Sequence, residues 1–294
     1  MIRTERRVTL LPAMRDALII TALMPEAVRL IEAWGLKPVR GEPTLERFQT
    51  HFGNGVYVAV SGVGKLKSAA ACGSVLSTLL RRGEPVVANL GIAGARPGVA
   101  ERGELFVVNK VRDAASNTRF YPDILFRHPA RESSLETHDE PVTDGSSVEA
   151  LVDMEGSGFM QAATLLVPPS AILVLKVVSD LCDGTRITPH DARALISDQL
   201  AVIEEIVTTS RRELPPTANL SAGEQRELDE GSERCKFSLS QRLELERLVR
   251  ACKAQNREWR QALREASASD VRTKQQSKTL FSALQDSLQR EILP

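Results

Sequence analysis

The chain has 294 residues, and its 38 Lys and Arg residues balance 38 Asp and Glu residues, so the formal net charge is zero at pH 7. This balance excludes a general electrostatic attraction to nucleic acid or anionic membranes. No segment reaches the roughly 20 consecutive apolar residues of a membrane-spanning helix. The four cysteines and four histidines include no CxxC pair and no metal-ligand spacing. We therefore expect a cytoplasmic protein with free thiols and no cofactor, which binds neither nucleic acid nor membrane.

The first predicted elements are a strand and a helix. Residues 17–23 (ALIITAL) are a short aliphatic run typical of a buried strand. Pro25 and Glu26 follow, and both suit the first turn of a helix, where the helix dipole favours a negative charge. Glu26 therefore has two interpretations: compensation of the dipole, or a functional carboxylate beside a binding crevice.

A glycine-rich corner follows a predicted hairpin. Residues 48–52 and 56–61 alternate around Gly-Asn-Gly at 53–55, a turn signal. The sequence SGVGK at 61–65 then leads into a predicted helix over 68–80, so backbone amides near Gly64 could hold an anion or a ribose hydroxyl. A P-loop is excluded because Ala59 stands where its first glycine belongs and Leu66 follows Lys65.

The middle of the chain predicts two strands, a second glycine turn and loops. Residues 85–90 form another apolar run, and the sequence GIAGA at 91–95 predicts a tight turn after it. Residues 103–108 continue the strand series. Residues 112–144 are polar and show little periodicity, which predicts loops around a site.

Two later strands each end in acidic residues. Residues 151–165 predict a short strand and then a helix, with Met154 and Glu155 at the junction, where a carboxylate could accept hydrogen bonds from both hydroxyls of a sugar diol. Residues 171–184 (AILVLKVVSDLCDG) predict a central parallel strand whose carboxyl end places Ser179 and Asp180 beside a crevice. The alternative for Glu155 and Asp180 is a capping or turn role.

The last third of the chain predicts helices. Residues 189–211 carry an apolar stripe that predicts one long helix packed on the sheet. We predict an α/β domain over 1–214, a linker over 215–236, and a helical tail or hairpin over 237–294, broken between 264 and 278. The apolar seam of the tail has two interpretations: docking of a partner, which includes dimerisation, or cover for the chain's own surface.

Five short motifs occur in order within residues 17–210. They are Ala22 with Glu26 four residues later, SGVGK at 61–65, NLGIAG at 89–94, VDME at 152–155 and VSD at 178–180. The series resembles the nucleoside phosphorylase superfamily, and most closely its methylthioadenosine/S-adenosylhomocysteine nucleosidases. The resemblance implies an α/β fold with a mixed twisted sheet flanked by helices, to which the helical tail is an appendage. It also implies a small-molecule nucleoside substrate and a homodimer.

The resemblance implies a role for each matching residue. Asp180, oriented by Ser179, would give a proton to N7 of a purine, and Glu26 would activate the attacking water. Glu155 would hold the ribose 2′ and 3′ hydroxyls, and Met154 would lie against the sugar. The other residues that it places against the substrate are Ala93, Gly94, Asp153 and Gly64.

The chain departs from the nucleosidases at several positions. Ile92 replaces a usual Ser or Thr, Lys176 replaces a usual Arg, and Pro25 stands where an acid is common. The segment before Asp153, which in those enzymes builds the wall around the base, is shorter. The sequence therefore leaves three hypotheses: a purine nucleosidase, a catalytically weakened nucleoside-sensing or scaffold module that uses the tail for a partner, and a nucleoside phosphorylase. Hydrolysis is favoured over phosphorolysis because Glu26 would repel phosphate.

Overall fold

The computed structural model describes residues 14–81, 83–213, 220–254, 257–269 and 271–292. The chain divides into two compact units, Met1–Leu214 and Pro215–Pro294. The first 13 residues of the predicted α/β domain lie outside the described residues. No helix in the described ranges is both long enough and apolar enough to cross a membrane.

In the described part of the first unit, ten strands form one mixed sheet. Their bounds are β1 (Ala17–Thr21), β2 (Lys37–Pro38), β3 (His51–Gly53), β4 (Val56–Val60), β5 (Val86–Ala95), β6 (Leu105–Asp113), β7 (Arg119–Phe120), β8 (Arg131–Thr137), β9 (Leu151–Asp153) and β10 (Ile172–Asp180). Strand β1 lies between β4 and β5 and is parallel to both. The pairs β5–β10, β10–β6, β6–β8, β8–β9 and β9–β5 close five strands into a ring.

Helices cover both faces of this sheet. The described helices of the first unit are α1 (Met24–Ala33), α2 (Pro43–Arg47), α3 (Lys65–Leu80), α4 (Gly156–Ala163), α5 (Pro189–Asp198) and α6 (Leu200–Glu213). Alternate residues of β1 enter two different apolar clusters: Leu18 and Ile20 pack with α3 and α4, whereas Ala17 and Ile19 pack with α1, α5 and α6. A strand covered on both faces reads as a continuous apolar run, which is the pattern that predicted it. The expected α/β architecture is confirmed.

Three predicted features of this unit are wrong. The segment GIAGA at 91–95 is not a turn, because it continues β5 and pairs with β10 and β9. The region 112–144 is not all loop, because it contains β7 and β8; β8 (RESSLET) is polar yet pairs with β6 and β9. The single helix over 189–211 is two helices that meet at Gln199, the residue that caps α5.

The described part of the second unit contains four helices: α7 (Ala222–Arg234), α8 (Leu239–Ala254), α9 (Arg260–Ser267) and α10 (Lys274–Ile292). The predicted linker over 215–236 is wrong where α7 lies: Ser221 caps this helix by accepting a hydrogen bond from the Glu224 N–H, and Leu228 is buried. Residues 214–219 are outside the described residues. The simple hairpin is also wrong, since the described part of 237–294 contains three helices, and the predicted break at 264–278 narrows to the residues between α9 and α10.

The apolar seam of the tail forms the second unit's own core. Leu245, Cys252, Trp259, Leu263 and Leu284 are buried together in one cluster. These side chains therefore pack on one another within the unit rather than on an outside partner. A protein partner of the tail stays a prediction, and it would need a different surface.

We predict that a chain ending at residue 214 folds on its own. Each unit has its own apolar clusters among the described residues, and a domain with its own core can fold alone. The truncated chain should show one cooperative melting transition by calorimetry or circular dichroism. A truncated chain that is insoluble, or that melts without cooperativity, would mean that the second unit completes the core of the first.

Candidate active site

A cavity of about 510 Å³ lies where β5, β9 and β10 end and where α1 begins. This volume is in the range of small-molecule sites, roughly 300 to 1,000 Å³. The carboxyl end of β10 borders it, as predicted for the central strand. Eight of the nine residues predicted for the site line it: Glu26, Ala93, Gly94, Asp153, Met154, Glu155, Ser179 and Asp180. Ile92, Val152 and residues 140–143 are also in the lining.

Glu26 is held at the start of α1 by two backbone amides. Its Oε2 accepts a hydrogen bond of 2.8 Å from the Leu23 N–H, and its Oε1 accepts one of 3.0 Å from the Ile92 N–H. The side chain is buried, and burial raises the pKa of Glu26 above its usual range against the opposing effect of these N–H donors. Glu26 therefore satisfies the helix start and also lines the cavity, and its role as a functional carboxylate stays a prediction.

Gly91 makes the approach of the Glu26 carboxylate possible. A Cβ atom at this position would lie 2.9 Å from Glu26 Oε1, closer than van der Waals contact allows. The bare glycine therefore lets the carboxylate reach the backbone of β5 and accept the Ile92 N–H. This close approach, rather than a turn, accounts for the glycine at 91.

Glu155 lies at the junction of β9 and α4, as predicted. Its Oε1 accepts a hydrogen bond of 2.7 Å from the Gly64 N–H. Burial, and then the negative charge of Asp153, raise the pKa of Glu155 to about 7. Gly64 has a φ of +104°, a backbone conformation that glycine adopts without strain. Gly64 is not in the cavity lining, and its amide holds Glu155 instead of the predicted ligand.

Asp153 is engaged by the protein rather than open to a substrate. Its carboxylate accepts hydrogen bonds from Thr137 Oγ1 at 2.7 Å and from the Gly156 N–H at 2.8 Å. It also forms an ion pair of 2.9 Å with Lys176, and each of these two side chains is only 1% exposed. These contacts argue against the predicted role of Asp153 in binding a substrate through its side chain.

Asp180 and Ser179 end β10 at the cavity. The Ser179 Oγ lies 2.6 Å from Asp180 Oδ2 and 3.1 Å from the Ala93 carbonyl oxygen. Asp180 Oδ1 accepts the Cys182 N–H at 2.9 Å, so this carboxylate also closes a turn. Gly94 gives it room, because a Cβ there would lie 2.8 Å from Cys182 Sγ and 3.2 Å from Asp180 Oδ1. Asp180 is only partly buried, and its neighbours leave its carboxylate accessible from the cavity.

Lys65, whose role the sequence left open, ties three elements together beside the cavity. Its ammonium lies 2.9 Å from Asp113 at the end of β6 and 2.9 Å from Asp139, next to the segment that lines the cavity. Ser157 of α4 donates a hydrogen bond of 2.7 Å to the same Asp113 carboxylate. The network fixes the start of α3, and with it Gly64, against α4.

Lys176 was not predicted as a site residue, but the structure places it beside the carboxylates of the site. Lys176 is fully buried among carboxylates, whereas the sequence marked it only as the replacement of a usual Arg. The sequence contains one indication of this buried ion pair: Lys176 interrupts the aliphatic run ILVLKVV, and a charge in a buried strand needs a partner. Across the described residues, no group of three His, Cys, Asp or Glu side chains is placed to hold a metal ion.

The structure is similar to several solved nucleosidases. The 5′-methylthioadenosine nucleosidase of Arabidopsis thaliana matches with a TM-score of 0.57 and 18% identity, over 67% of this chain and 96% of that chain. The chain has the nucleoside phosphorylase fold. The 5′-methylthioadenosine/S-adenosylhomocysteine nucleosidase of S. pneumoniae, solved with a transition-state inhibitor, matches with a TM-score of 0.54 and 20% identity, over 66% of this chain and 99% of that chain.

A third solved structure extends this similarity. The nucleosidase of Colwellia psychrerythraea 34H, solved with adenine, matches with a TM-score of 0.54 and 21% identity, over 71% of this chain and 98% of that chain. No family model and no curated protein matches the chain in sequence. Within its nucleoside phosphorylase fold, the chain covers nearly the full length of each of these three structures.

Proposed function

We propose that this chain hydrolyses the N-glycosidic bond of a purine nucleoside or of a 5′-substituted adenosine derivative. The observation that carries the proposal is that Glu26, Glu155 and Asp180, from three distant segments, line one cavity of the nucleoside phosphorylase fold. The solved structures of similar fold are those of nucleosidases, one with adenine and one with a transition-state inhibitor. The resemblance of the sequence motifs supports the same assignment.

In the proposed reaction, Asp180 is the general acid. It donates its proton to N7 of the purine while the bond between C1′ and N9 breaks, and the bonding electron pair leaves with the base. Protonation makes the base a better leaving group. Ser179 Oγ donates a hydrogen bond to Asp180 Oδ2, so the proton of the carboxylic acid stays available for N7. The Cys182 N–H donates to Asp180 Oδ1, and these two contacts fix the acid in one orientation.

The nucleophile in this proposal is water, activated by Glu26. The oxygen of water forms the new bond to C1′, and one water proton goes to Glu26, whose two oxygens each keep a lone pair beyond the backbone hydrogen bonds. Glu155 accepts hydrogen bonds from the sugar hydroxyls, and Met154 places a polarizable thioether beside the sugar. The products are the free base and the free pentose derivative.

The charges of the cavity favour water over phosphate. Five acidic residues line it, Glu26, Glu140, Asp153, Glu155 and Asp180, against a single basic residue of the lining, Arg186. The buried Lys176 ammonium is already paired with Asp153. Phosphate carries nearly two negative charges and needs convergent positive groups or donors. Ile92, at the position where the nucleosidases usually carry a hydroxyl residue, presents an apolar side chain to the cavity.

We therefore predict that the rate of base release does not change when phosphate is added. The assay compares phosphate-free buffer with buffer containing excess phosphate at equal ionic strength, and it identifies the sugar product by mass spectrometry. The expected product is the free pentose derivative in both buffers. Recovery of a pentose 1-phosphate would contradict hydrolysis and would favour a nucleoside phosphorylase.

A second candidate function is a nucleoside-binding module with little turnover. The raised pKa of Glu26 favours it, because a protonated Glu26 cannot take a proton from water. Calorimetric titration with the nucleosides of the same assay separates the two functions: the module binds without releasing base. A homodimer, implied by the resemblance, and a cytoplasmic location, expected from the composition, remain part of the proposal, and light scattering tests the dimer.

A further inference from the structure

Lys176 occupies an unusual place for a lysine. It lies in the middle of β10, opposite Gly91 of β5 and Phe106 of β6, and its side chain is 1% exposed. Burial of an ammonium group is costly unless it is paired and hydrogen-bonded. Its partner is Asp153, at 2.9 Å, and Asp153 is itself fixed by Thr137 and Gly156. The ammonium group is therefore held in one position.

That position is beside Glu26. A Cβ atom on Gly91 would lie 2.9 Å from Glu26 Oε1 and 3.6 Å from Lys176 Nζ. The carboxylate and the ammonium group thus approach the same bare backbone of β5 from neighbouring elements. Because Gly91 has no side chain, both charged groups fit beside it and lie close to each other.

The charged groups that face this point come from three elements. They are Glu26 of α1, Asp153 and Glu155 at the end of β9, and Lys176 of β10. Three buried carboxylates without a cation could not all be ionised, because each repels the others and loses its hydration. Burial and Asp153 raise the pKa of Glu155 to about 7, and Lys176 opposes this rise. Burial lowers the pKa of Lys176, but the three carboxylates more than offset it, so the lysine stays charged.

We infer that Lys176 is the positioning residue of the cavity: its ammonium group, fixed by Asp153, favours the ionised forms of the nearby Glu26 and Glu155 carboxylates. It acts through these two residues and does not line the cavity itself. The importance of this effect for catalysis rests on the proposed function, since Glu26 must be ionised to accept a proton from water. The charge effect itself is measurable without any activity.

The direct test is a pH titration of Glu155 by nuclear magnetic resonance, with glutamate labelled with ¹³C at the carboxyl carbon. The signal is assigned from its loss in Glu155→Gln. We expect a midpoint near pH 7 in the parent chain. In Lys176→Gln, which keeps a donor for Asp153 but has no charge, the midpoint should rise by about one pH unit or more, a tenfold change in the acid constant. Lys176→Arg, which keeps the charge, should stay near the parent.

A second pair of variants serves if Lys176→Gln does not fold. Asp153→Asn is compared with the double variant Asp153→Asn/Lys176→Met, in which the buried pair is replaced by two neutral side chains. The midpoint of Glu155 should be higher in the double variant than in Asp153→Asn. An unchanged midpoint in either comparison, or a Lys176→Arg midpoint as high as that of Lys176→Gln, would overturn the inference.

The pH–rate profile extends the test to the active chain. The acid limb of base release should move to higher pH in Lys176→Gln and stay in place in Lys176→Arg, whereas a merely structural role would lower the rate equally at all pH values. A parent chain that releases no base would contradict the proposed function, but the titration of Glu155 would still decide the role of Lys176.

Discussion

Asp180→Asn is expected to remove base release and to leave the fold intact. The loss should be at least about 100-fold in kcat, the scale of a positioned general acid. The amide keeps the shape of the carboxylate: its oxygen can accept the Cys182 N–H, and its NH₂ group can donate to Ser179 Oγ while Ser179 donates to the Ala93 carbonyl. It cannot give a proton to the purine. The measurement is initial rate by chromatography of the free base, with the melting temperature recorded for each variant.

The matched control for Asp180→Asn is Asp183→Asn. Asp183 lies three residues along the same turn, accepts the Thr185 N–H, and is exposed and outside the cavity lining. This control should cleave at the parent rate. An Asp180→Asn chain that also cleaves at the parent rate would show that Asp180 only closes the turn after β10.

Glu26→Gln is expected to lower kcat by about 100-fold or more, because an amide cannot accept the proton of the attacking water. Its oxygen can still accept one of the two backbone N–H groups that Glu26 binds. Its NH₂ group faces the other donor, so we also expect a lower melting temperature. The matched control is Glu140→Gln, which removes an exposed carboxylate from the lining of the same cavity and should keep most of the activity. Full activity in Glu26→Gln would exclude Glu26 as the base.

Glu26 also leads us to expect that the rate of base release depends on pH. Burial raises the pKa of Glu26 above its ordinary value near 4.5, and the base must be ionised to act. The rate should therefore fall as the pH drops through a range above 4.5, since protons bind Glu26 there. Glu155, with its pKa raised to about 7, strengthens this decline, because a protonated carboxyl offers fewer acceptors to the sugar hydroxyls. A rate that stays constant as the pH falls to 4.5 would contradict an essential base of raised pKa.

Patterns of local chemistry predicted much of the fold and of the site. The aliphatic runs of β1 and β10 were sufficient to predict strands covered on both faces, and the end of β10 predicted the position of Asp180. Local patterns failed where a distant segment decides the structure. The glycines of 91–95 predict a turn by themselves, but their pairing with β10 makes them part of a strand. Polar β8 becomes a strand because β6 and β9 supply its hydrogen-bonding partners.

The partners of the buried charges also could not be predicted from the sequence. The ion pair of Lys176 with Asp153 joins residues from two strands, and neither residue type reveals the other. The same holds for Gly64: the sequence predicts that its amide holds a ligand, whereas in the structure this amide donates to Glu155. Sequence motifs gave the residues of the cavity, but the division between residues that face a substrate and residues that hold them required the fold.

The central claim is that this cavity releases a purine base by hydrolysis. The most direct measurement is incubation of the purified full chain with a panel of adenine and guanine nucleosides and 5′-substituted adenosines, followed by chromatography of the free base. Asp180→Asn serves as the matched blank. The account predicts free base and free pentose derivative from at least one nucleoside with the parent chain, and almost none with Asp180→Asn. Binding of a nucleoside without any base release, or equal release by the two chains, would contradict it.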